Sequence, residues 1–407
     1  MRSIAIVAAV AAGCAVNPAT GRRQLMLISE GQEISMGREA DPSVVGQFGI
    51  YSDSSLQRYV RDLGDRMASL SERPNLPWTF RVVDDPVVNA FALPGGFIYV
   101  TRGIMAYFGS EAELASVLGH EIGHVTARHS AAQLSQQQLA QVGLVAGMVL
   151  APEIQSIAGL AQAGLGLLFL KFSRDDEREA DDLGLRYLTA ARYDAREMPN
   201  VFAMLARVSE ASGGGRAPAW LSTHPDPADR RVRIQQQIAT QSFAGTAVNR
   251  DAYLRRLQGM VYGPNPREGF FRGQTFQNPD LRFQITFPAG WRTANQRQAV
   301  LAQSPNQDAL MQLTAAEQTS PTGAVAAFLE GAGITAGPVR SHRINGLSAA
   351  SARFQATTRD GVLNGLVTGV ADGGNVYRLL GVSTDARWGT YEPAVLASFE
   401  SFDRLTD

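Results

Sequence analysis

Apolar residues recur along most of the first two thirds of the chain at helical spacing. From about residue 54 to residue 260 they fall every three or four positions, which predicts a mainly helical domain. The polar segment before this domain takes up the same period from about Ser29. Between Val87 and Gly103 the period shortens, and two apolar, β-branched and aromatic runs flank Pro94-Gly95-Gly96. This stretch predicts two strands joined by a tight turn.

A second change of period lies between Val261 and Asp280. Glycine, proline and asparagine accumulate there, and helical spacing gives way to alternation. We predict a linker over residues 261–280. It separates a domain over residues 20–260 from a C-terminal domain over residues 281–407.

The C-terminal domain begins with an alternating stretch, Leu281 to Trp291, followed by short alternating runs and two helical patterns. The helices are predicted from about Pro321 and from about Tyr391. The predicted strands lie near residues 299–303, 309–315, 349–356, 363–370 and 376–382. These elements predict an antiparallel α+β domain, so the whole chain is assigned to the α+β class.

The Phe-Pro-x-Gly-Trp sequence that ends at Trp291, together with the order of elements, resembles PsbP-like domains. The domain shows no catalytic constellation, since His342 stands alone. We expect an accessory domain that binds a substrate or a partner.

The chain starts with one basic residue, an apolar run of about ten residues, and small residues that end at the only cysteine, Cys14. Because a membrane-spanning helix needs roughly 20 apolar residues, residues 1–13 predict a cleaved export signal. The sequence "AAGC" resembles the bacterial lipobox, although Ala11 stands where leucine is usual. That resemblance implies a lipid on Cys14, and Ala15 after it favours the outer membrane. An ordinary signal peptide with an incidental cysteine is the alternative.

Composition narrows the expected partners. The 407 residues carry a formal net charge of -1 and no long basic or acidic run, so we expect no nucleic acid partner. With 45% hydrophobic residues, the chain can bury one large core or two ordinary ones, and two folded units are the default expectation. A lipid on the only cysteine leaves none for a disulfide, so these cores must stabilise the protein.

The segment "VLGHEIGHVTARH", Val117 to His129, places three histidines and one glutamate in a helical pattern. Ser110 and Glu113 form a capping-box pattern before it. We therefore expect a helix that begins at Glu111 and runs through the histidines towards Leu134.

His120 and His124 are four residues apart and therefore project from one face of this helix. Glu121 lies beside them, where a carboxylate can take a proton from water without being a ligand. The pattern His-Glu-x-x-His is that of zinc peptidases, in which zinc makes a water molecule more acidic. A buried helix with two hydrogen-bonded histidines and an incidental glutamate is the alternative.

A third protein ligand separates the classes of zinc peptidase. The metzincin pattern needs glycine at position 127 and histidine at position 130, where this chain has Ala127 and Ser130. His129 is one residue short of that register and five from His124. We interpret His129 as a flanking polar residue that lies away from the ligand face and is not a ligand.

The gluzincin pattern needs a glutamate from a second helix, and "FSRDDEREADDLGLRYL" supplies one. Ser173 and Asp176 predict the start of that helix, on which Glu177 and Asp181 share a face. Glu177 can complete the zinc ligands, while Asp181 can accept the outer N–H of a ligand histidine. A charged, solvated helix face is the alternative.

His-Glu-Ile-Gly-His followed by Glu177-x-x-Ala180-Asp181 resembles the HtpX and CAAX-prenyl-protease family of zinc metalloendopeptidases. The stretches "NAFALPGG" before the first helix and "STHPDPADRR" after the second are similar to further family blocks. The resemblance covers roughly residues 20–240 and implies a mainly helical zincin-type domain with a small β-sheet. The resemblance also implies roles for individual residues. The ligands of one Zn²⁺ would be His120, His124 and Glu177, and Glu121 would be the general base and acid. Asp181 would bind a ligand histidine, and His224 would be a regulatory fourth ligand or a transition-state donor.

Membrane-embedded members of that family carry spanning helices. The most apolar internal stretch here, Val142 to Leu170, is broken by Pro152 and Glu153, and neither half is long enough to span a bilayer. The chain therefore resembles the soluble, exported branch. We expect this stretch to pack around the active site or to cover its cleft.

These residues predict the attack of water on a peptide carbonyl, with Glu121 passing the proton to the leaving amine. Arg230 is a second candidate, beside His224, for stabilising the oxyanion. An extended substrate laid along the strand Asn89, Ala90 and Phe91 would explain endopeptidase action with little side-chain specificity.

We predict a zinc metalloendopeptidase of the bacterial cell envelope, located in the periplasm and lipid-anchored to the outer membrane. By family analogy alone, its substrates are exported, misfolded proteins. The alternative is a latent or non-proteolytic binding or chaperone-like lipoprotein with a closed zinc site. Structural zinc sites are usually rich in cysteine, which favours the enzyme.

Overall fold

A computed structural model describes residues 14–147, 167, 170–211, 219–224, 227–358 and 361–405. The chain forms two compact units that divide between Gly263 and Pro264. The predicted signal over residues 1–13 and most of the apolar stretch 142–170 lie outside the described residues. No helix in the described part of the chain is long and apolar enough to cross a membrane.

The first unit is mainly helical, as predicted. A short hairpin of β1 (Cys14–Val16) and β2 (Arg23–Leu25) precedes the helices. In chain order these are α1 (Glu30–Phe48), α2 (Ser54–Ala68), α3 (Arg102–Met105), α4 (Glu111–Thr126), α5 (His129–Gly147), α6 (Arg174–Ala190), α7 (Met198–Ala211), α8 (Ala219–Thr223), α9 (Pro227–Thr240) and α10 (Arg250–Arg256). A 3₁₀ turn covers Ala195–Glu197.

Three predicted helix starts are confirmed by their caps. The side chains of Ser29, Ser110 and Ser173 accept hydrogen bonds from the first turns of α1, α4 and α6. In α1 and α6 the reciprocal bond of the capping box is also present. Local sequence therefore sets where these helices begin.

Three strands form the sheet of the first unit, in the order β3-β5-β4. They are β3 (Thr79–Val83), β4 (Ala90–Leu93) and β5 (Phe97–Thr101). The predicted hairpin is confirmed, because β4 and β5 pair antiparallel. β3 was not predicted, since its five residues are too few to show a period and its parallel pairing with β5 is non-local.

Helix α4 is buried on every side. Each residue from Leu114 to Thr126 is buried, and α2, α6 and α7 pack around it. A helix that is apolar nearly all round belongs in a core. The polar residues His120, Glu121 and His124 are therefore carried into the core with it.

Helices α4 and α6 approach each other at glycines. A Cβ at Gly123 would lie 2.9 Å from the carbonyl oxygen of Ala180, and a Cβ at Gly184 would lie 2.9 Å from the backbone nitrogen of His120. Neither position has room for a methyl group. The glycine within His-Glu-Ile-Gly-His thus sets the distance between the helix of the two histidines and the helix of Glu177.

The prediction that α4 runs on towards Leu134 is wrong. The helix ends before Arg128, which adopts a left-handed φ of 63°, and α5 begins at His129. This conformation is unfavourable for a residue with a side chain. It is held here because the Arg128 guanidinium binds the carboxylate of Glu33 and donates to the carbonyl oxygen of Ile28 at 2.7 Å.

The second unit is built on antiparallel strands. They are β6 (Phe270–Arg272), β7 (Thr275–Asn278), β8 (Phe283–Thr286), β9 (Arg292–Gln296), β10 (Ala299–Gln303), β11 (Ala309–Ala316), β12 (Ile334–Ala336), β13 (Arg340–Ile344), β14 (Leu347–Thr358), β15 (Gly361–Asp372), β16 (Asn375–Thr384) and β17 (Asp403–Arg404). Its helices are α11 (Pro321–Leu329) and α12 (Asp385–Glu400), and a 3₁₀ turn covers Pro266–Glu268.

These strands form two sheets. The larger has the order β12-β14-β15-β16-β11-β10-β9, with β13 also paired to β14, and the smaller has the order β17-β8-β7-β6. Residues on both faces of the larger sheet are buried, against α11 on one side and α12 on the other. The predicted α+β class is confirmed, and the five predicted strands correspond to β10, β11, β14, β15 and β16.

Two details of the second unit differ from the sequence analysis. Where a linker is predicted over residues 261–280, β6 and β7 form part of the smaller sheet. Phe276 is buried there and Phe271 packs on it with ring centroids 5.3 Å apart, so the surrounding glycine and asparagine residues serve turns between short strands. Helix α12 begins at Asp385, before the predicted Tyr391, because it follows β16 directly.

Candidate metal centre

Four buried side chains converge inside the first unit. His120 and His124 come from α4, Glu177 from α6, and His224 directly follows α8. One ligand atom from each lies within 4.8 Å of all the others. Within the described ranges, no other group of histidine, cysteine, aspartate and glutamate is arranged to hold a metal ion.

The facing atoms are spaced for a single ion. Nε2 of His120 lies 3.0 Å from Nε2 of His124 and 3.3 Å from Nδ1 of His224. Oε1 of Glu177 lies 2.9 Å from Nδ1 of His224 and 3.4 Å from Nε2 of His124. A tetrahedral zinc site with bonds of about 2.0–2.1 Å separates its ligand atoms by roughly 3.3 Å. Imidazole and carboxylate are also donors that zinc prefers, so these residues fit the ion.

A buried ion pair holds the outer nitrogen of His120. Oδ1 of Asp181 lies 3.0 Å from Nδ1 of His120, and Arg230 donates to the same carboxylate through Nε at 2.9 Å and Nη2 at 2.6 Å. Burial raises the pKa of Asp181, but Arg230 and His120 together lower it more, to about 2. The ionised carboxylate accepts the N–H at Nδ1 of His120, which leaves Nε2 to face the other ligands.

Arg230 is enclosed by the site. Its guanidinium carbon lies 4.9 Å from the ring centroids of both Phe202 and Trp220, and Nη1 lies 2.6 Å from Oε2 of Glu177. Nε and Nη2 of Arg230 thus bind Asp181, whereas Nη1 is close to Glu177 but forms no described hydrogen bond. Arg230 therefore holds the carboxylate that contacts His120, and its role as a transition-state donor stays a prediction.

Glu121 is buried beside the four ligand residues without being one of them. Its Oε1 lies 3.6 Å from Nε2 of His224, and no described atom forms a hydrogen bond with this oxygen. Leaving a buried carboxylate oxygen without a partner is costly. The position therefore suits a carboxylate that hydrogen-bonds a water molecule next to the metal.

His224 occupies the fourth side of the group. Its ring stacks on Trp220 with centroids 4.6 Å apart, and its backbone N–H donates to the Trp220 carbonyl oxygen at 2.8 Å. Burial lowers the pKa of His224, but the carboxylates of Glu177 and Glu121 raise it more, so the net direction is upward. Nδ1 of His224 lies close enough to the other three candidate ligand atoms for one ion to contact all four, and the role of His224 stays a prediction.

The contacts of His129 and Glu179 with the site were not predicted. His129 is not among the four ligand residues, as predicted, but it is buried against His124 with 2.9 Å between their Nδ1 atoms. Its Nε2 lies 2.9 Å from Oε2 of Glu179. The prediction that His129 lies away from the ligand face is wrong because the break at Arg128 turns it back, and no sequence pattern marks that break.

Two aromatic residues of the site were also missed. Phe172 stacks on His124 with ring centroids 4.0 Å apart, and Trp220 stacks on His224. The sequence offered a signal for both, since each is a large aromatic residue within five positions of a predicted site residue.

The predicted substrate strand lies at a sheet edge. β4 is the edge strand of its sheet and packs against α4. Asn89 precedes it, and its Oδ1 is buried with no described hydrogen-bond partner. The ring of Phe91 stacks on Tyr99 at 5.0 Å and so belongs to the core. The backbone N–H of Trp220 donates to the carbonyl oxygen of Val88 at 3.3 Å, which joins α8 to the start of this strand.

His120, His124 and Glu177, with Glu121 beside them, have the arrangement of ligands and base that zinc metallopeptidases use. Residues 54–238 match Peptidase family M48.

Two relatives illustrate the similarity. The chain is 33% identical over 222 residues to the Beta-barrel assembly-enhancing protease of Escherichia coli K12, and the aligned part covers 51% of this chain and 45% of that protein. It is 35% identical over 190 residues to the Mitochondrial metalloendopeptidase OMA1 of Arabidopsis thaliana, and this alignment covers 46% of this chain and 37% of that protein. The aligned part thus spans less than half the length of each relative.

Among solved structures, the chain is similar to cyanobacterial PsbP from Synechocystis. The identity is 13%, the match covers 36% of this chain and 99% of that one, and the TM-score is 0.29. A likeness at this level carries no argument, so the PsbP-like assignment of the C-terminal domain stays a prediction.

Proposed function

We propose that this chain is a zinc-dependent metalloendopeptidase of the bacterial cell envelope. One observation carries the proposal. A buried group of His120, His124 and Glu177 can hold a metal ion, and Glu121 places an oxygen without a hydrogen-bond partner beside it. The activity belongs to the first unit, and the second unit serves as an accessory domain.

The roles of the residues follow from their positions. His120, His124 and Glu177 hold the ion. Zinc, when bound, supplies a Lewis acid that polarises the scissile carbonyl and makes a water molecule more acidic. Glu121 takes the proton of the attacking water at its carboxylate and then passes it to the nitrogen of the leaving amine.

The edge strand β4 gives an extended substrate a place to bind. It packs against α4, and one side of it is unpaired within the described sheet. A peptide added to such an edge is held by main-chain hydrogen bonds that do not depend on its side chains. Endopeptidase action on unfolded segments of varied sequence is the expected result.

The names of the relatives suggest the substrates. A protease named for enhancing beta-barrel assembly points to envelope proteins, and we extend that class to this chain as part of the proposal. The proposal also places the chain in the soluble branch of HtpX-like enzymes. It includes an export signal before Cys14 and a lipid on Cys14 that anchors the protein to the outer membrane.

The position of His224 favours a latent state of the same enzyme. Catalytic zinc sites keep one position open, whereas sites with four protein ligands are closed. Nδ1 of His224 lies 3.3 Å from Nε2 of His120 and 2.9 Å from Oε1 of Glu177, which supports His224 as the residue that closes the fourth position. We infer that His224 must move away before substrate binds.

The test compares the purified chain with its Glu121→Gln and His224→Ala variants, by zinc content and by cleavage of casein. We expect all three to bind zinc, His224→Ala to cleave faster than the parent, and Glu121→Gln to lose at least about 100-fold in rate. Zinc binding with no cleavage by the parent or by His224→Ala would instead support a non-proteolytic binding protein. Cleavage by Glu121→Gln at the parental rate would remove Glu121 as the base.

A further inference from the structure

The ring of His129 lies between a metal-ligand residue and a carboxylate. It is buried, its Nδ1 is 2.9 Å from Nδ1 of His124, and its Nε2 is 2.9 Å from Oε2 of Glu179. These contacts continue a line that begins at Nε2 of His124, the nitrogen that faces His120 and Glu177. The line therefore runs from the ligand group to a carboxylate outside it.

The break between α4 and α5 makes this line possible. In a continuous helix, residues five apart project in different directions. The left-handed conformation of Arg128 redirects the chain, so that His129 returns onto His124. The ion pair of Arg128 with the buried carboxylate of Glu33 holds the chain in that conformation.

With both imidazoles neutral, the hydrogen bonds allow one consistent arrangement of protons. An ionised carboxylate can only accept, so Nε2 of His129 donates to Glu179. A neutral imidazole that donates at Nε2 accepts at Nδ1. Nδ1 of His124 must then donate to Nδ1 of His129, which leaves the lone pair of His124 Nε2 directed at the other ligands.

We propose that His129 and Glu179 are positioning residues that fix the tautomer and ring orientation of His124 for zinc binding. The inference rests on the proposed zinc site. It adds to the carboxylate that holds His120 a separate support for the second histidine. Partners of this kind affect metal affinity although they do not touch the metal.

The support extends to the N-terminal segment. Nδ2 of Asn17, a buried residue just after β1, lies 3.4 Å from both carboxylate oxygens of Glu179. Nearby, the side chain of Gln24 in β2 donates to the carbonyl oxygen of Ala127 at 3.1 Å. The hairpin of β1 and β2 therefore packs where it holds both Glu179 and the end of α4.

The test measures zinc affinity of the full chain by competition with a chelator, and the visible absorption of the Co²⁺-loaded protein. We expect His129→Leu, which removes the acceptor, to weaken zinc binding roughly 10–100-fold and to shift the Co²⁺ spectrum. His129→Asn keeps an acceptor atom close to the place of Nδ1 and should restore most of the affinity. The matched control is His342→Leu, which removes an exposed histidine of the second unit and should change neither readout.

A second variant tests the carboxylate if His129→Leu does not fold. Glu179→Ala should weaken zinc binding several-fold, whereas Asp182→Ala, at an exposed position of the same helix, should not. Parental affinity and spectrum in both His129→Leu and Glu179→Ala would overturn the inference while leaving the zinc site intact. Equal losses in His129→Leu and His129→Asn would also overturn it, because the acceptor would then be irrelevant. A parent chain that binds no zinc would overturn the proposed function itself.

Discussion

The two histidines of α4 face the same metal site but are supported in different ways. His120 is held by Asp181, which is fully buried and paired with the buried Arg230. His124 is held by His129, which is backed by Glu179, a carboxylate whose side chain is 15% exposed. The first support is an ion pair inside the core, and the second is a chain of neutral and charged hydrogen bonds that ends near the surface.

This difference separates folding from metal binding. A buried ion pair cannot lose one partner without leaving an uncompensated charge in the core. The chain through His129 ends at a partly exposed carboxylate that water can solvate, so its loss should affect the orientation of His124 more than the fold. The orientation of His120 therefore depends on an ion pair that also stabilises the core, whereas the orientation of His124 depends on contacts with the N-terminal hairpin.

The largest expected effect breaks the first support. Asp181→Asn removes the negative charge that pairs with Arg230, and its amide can turn either an oxygen or an NH2 group towards Nδ1 of His120. We expect the free energy of unfolding of the metal-free protein to fall by about 3–5 kcal/mol. Zinc affinity should fall roughly 10–100-fold. Urea unfolding and chelator competition measure the two quantities.

The control for Asp181→Asn is Asp182→Asn, the neighbouring residue on α6, whose side chain is 46% exposed. It should change stability by less than about 0.5 kcal/mol. An unfolding free energy for Asp181→Asn equal to that of the parent would show that the two supports do not differ in the way described.

The elements that carry the site could be predicted because their signals are local. Capping serines at Ser110 and Ser173 define where α4 and α6 begin. The four-residue spacing of His120 and His124 places them on one face. These patterns led to the ligand residues because a helix fixes the relation between neighbours in sequence.

What could not be predicted depends on contacts between distant residues. Arg128 leaves the helical conformation because Glu33, about a hundred residues away in sequence, binds it. That single change moves His129 from a flanking position to the side of His124. β3 was missed for the same reason, since its parallel partner β5 is the second strand of the hairpin and is not its neighbour in sequence.

A smaller effect is expected from a change that moves both supports together. Gly123→Ala places a methyl carbon 2.9 Å from the carbonyl oxygen of Ala180, a backbone atom that cannot turn aside. Helices α4 and α6 must separate, which should cost about 1–3 kcal/mol of stability. It should also weaken zinc binding, because the histidines and Glu177 lie on opposite sides of the contact. Thermal unfolding and zinc competition check both effects.

The matched control is Gly31→Ala in α1, where an added Cβ has nothing within 4 Å. There the exchange should leave zinc binding unchanged and raise stability by up to about 1 kcal/mol, through helix propensity. If Gly123→Ala binds zinc as tightly as the parent, the spacing of α4 and α6 does not define the site.

The smallest expected effect concerns the start of α4, far from both supports. Glu111 is the first residue of α4 and accepts hydrogen bonds from Tyr59 at 2.8 Å, from Tyr193 at 2.5 Å and from Asn249 at 2.8 Å. Arg66 lies 4.0 Å away. Burial raises the pKa of Glu111, but these partners together lower it more, so the folded protein has the lower pKa.

A group with a lowered pKa in the folded state adds stability above its unfolded-state pKa, and that stability is lost as the pH falls through the folded-state value. Glu111→Gln should therefore cost about 1 kcal/mol at pH 7. The difference from the parent should shrink as the pH falls below the ordinary range of a glutamate, and urea unfolding of both proteins between pH 7 and pH 3 measures it. Zinc affinity at pH 7 should stay at the parental value, because the change lies at the opposite end of α4 from His124. A loss of affinity as large as that of Asp181→Asn would mean that the ligand histidines are oriented by the helix as a whole, and the contrast between their two supports would no longer hold.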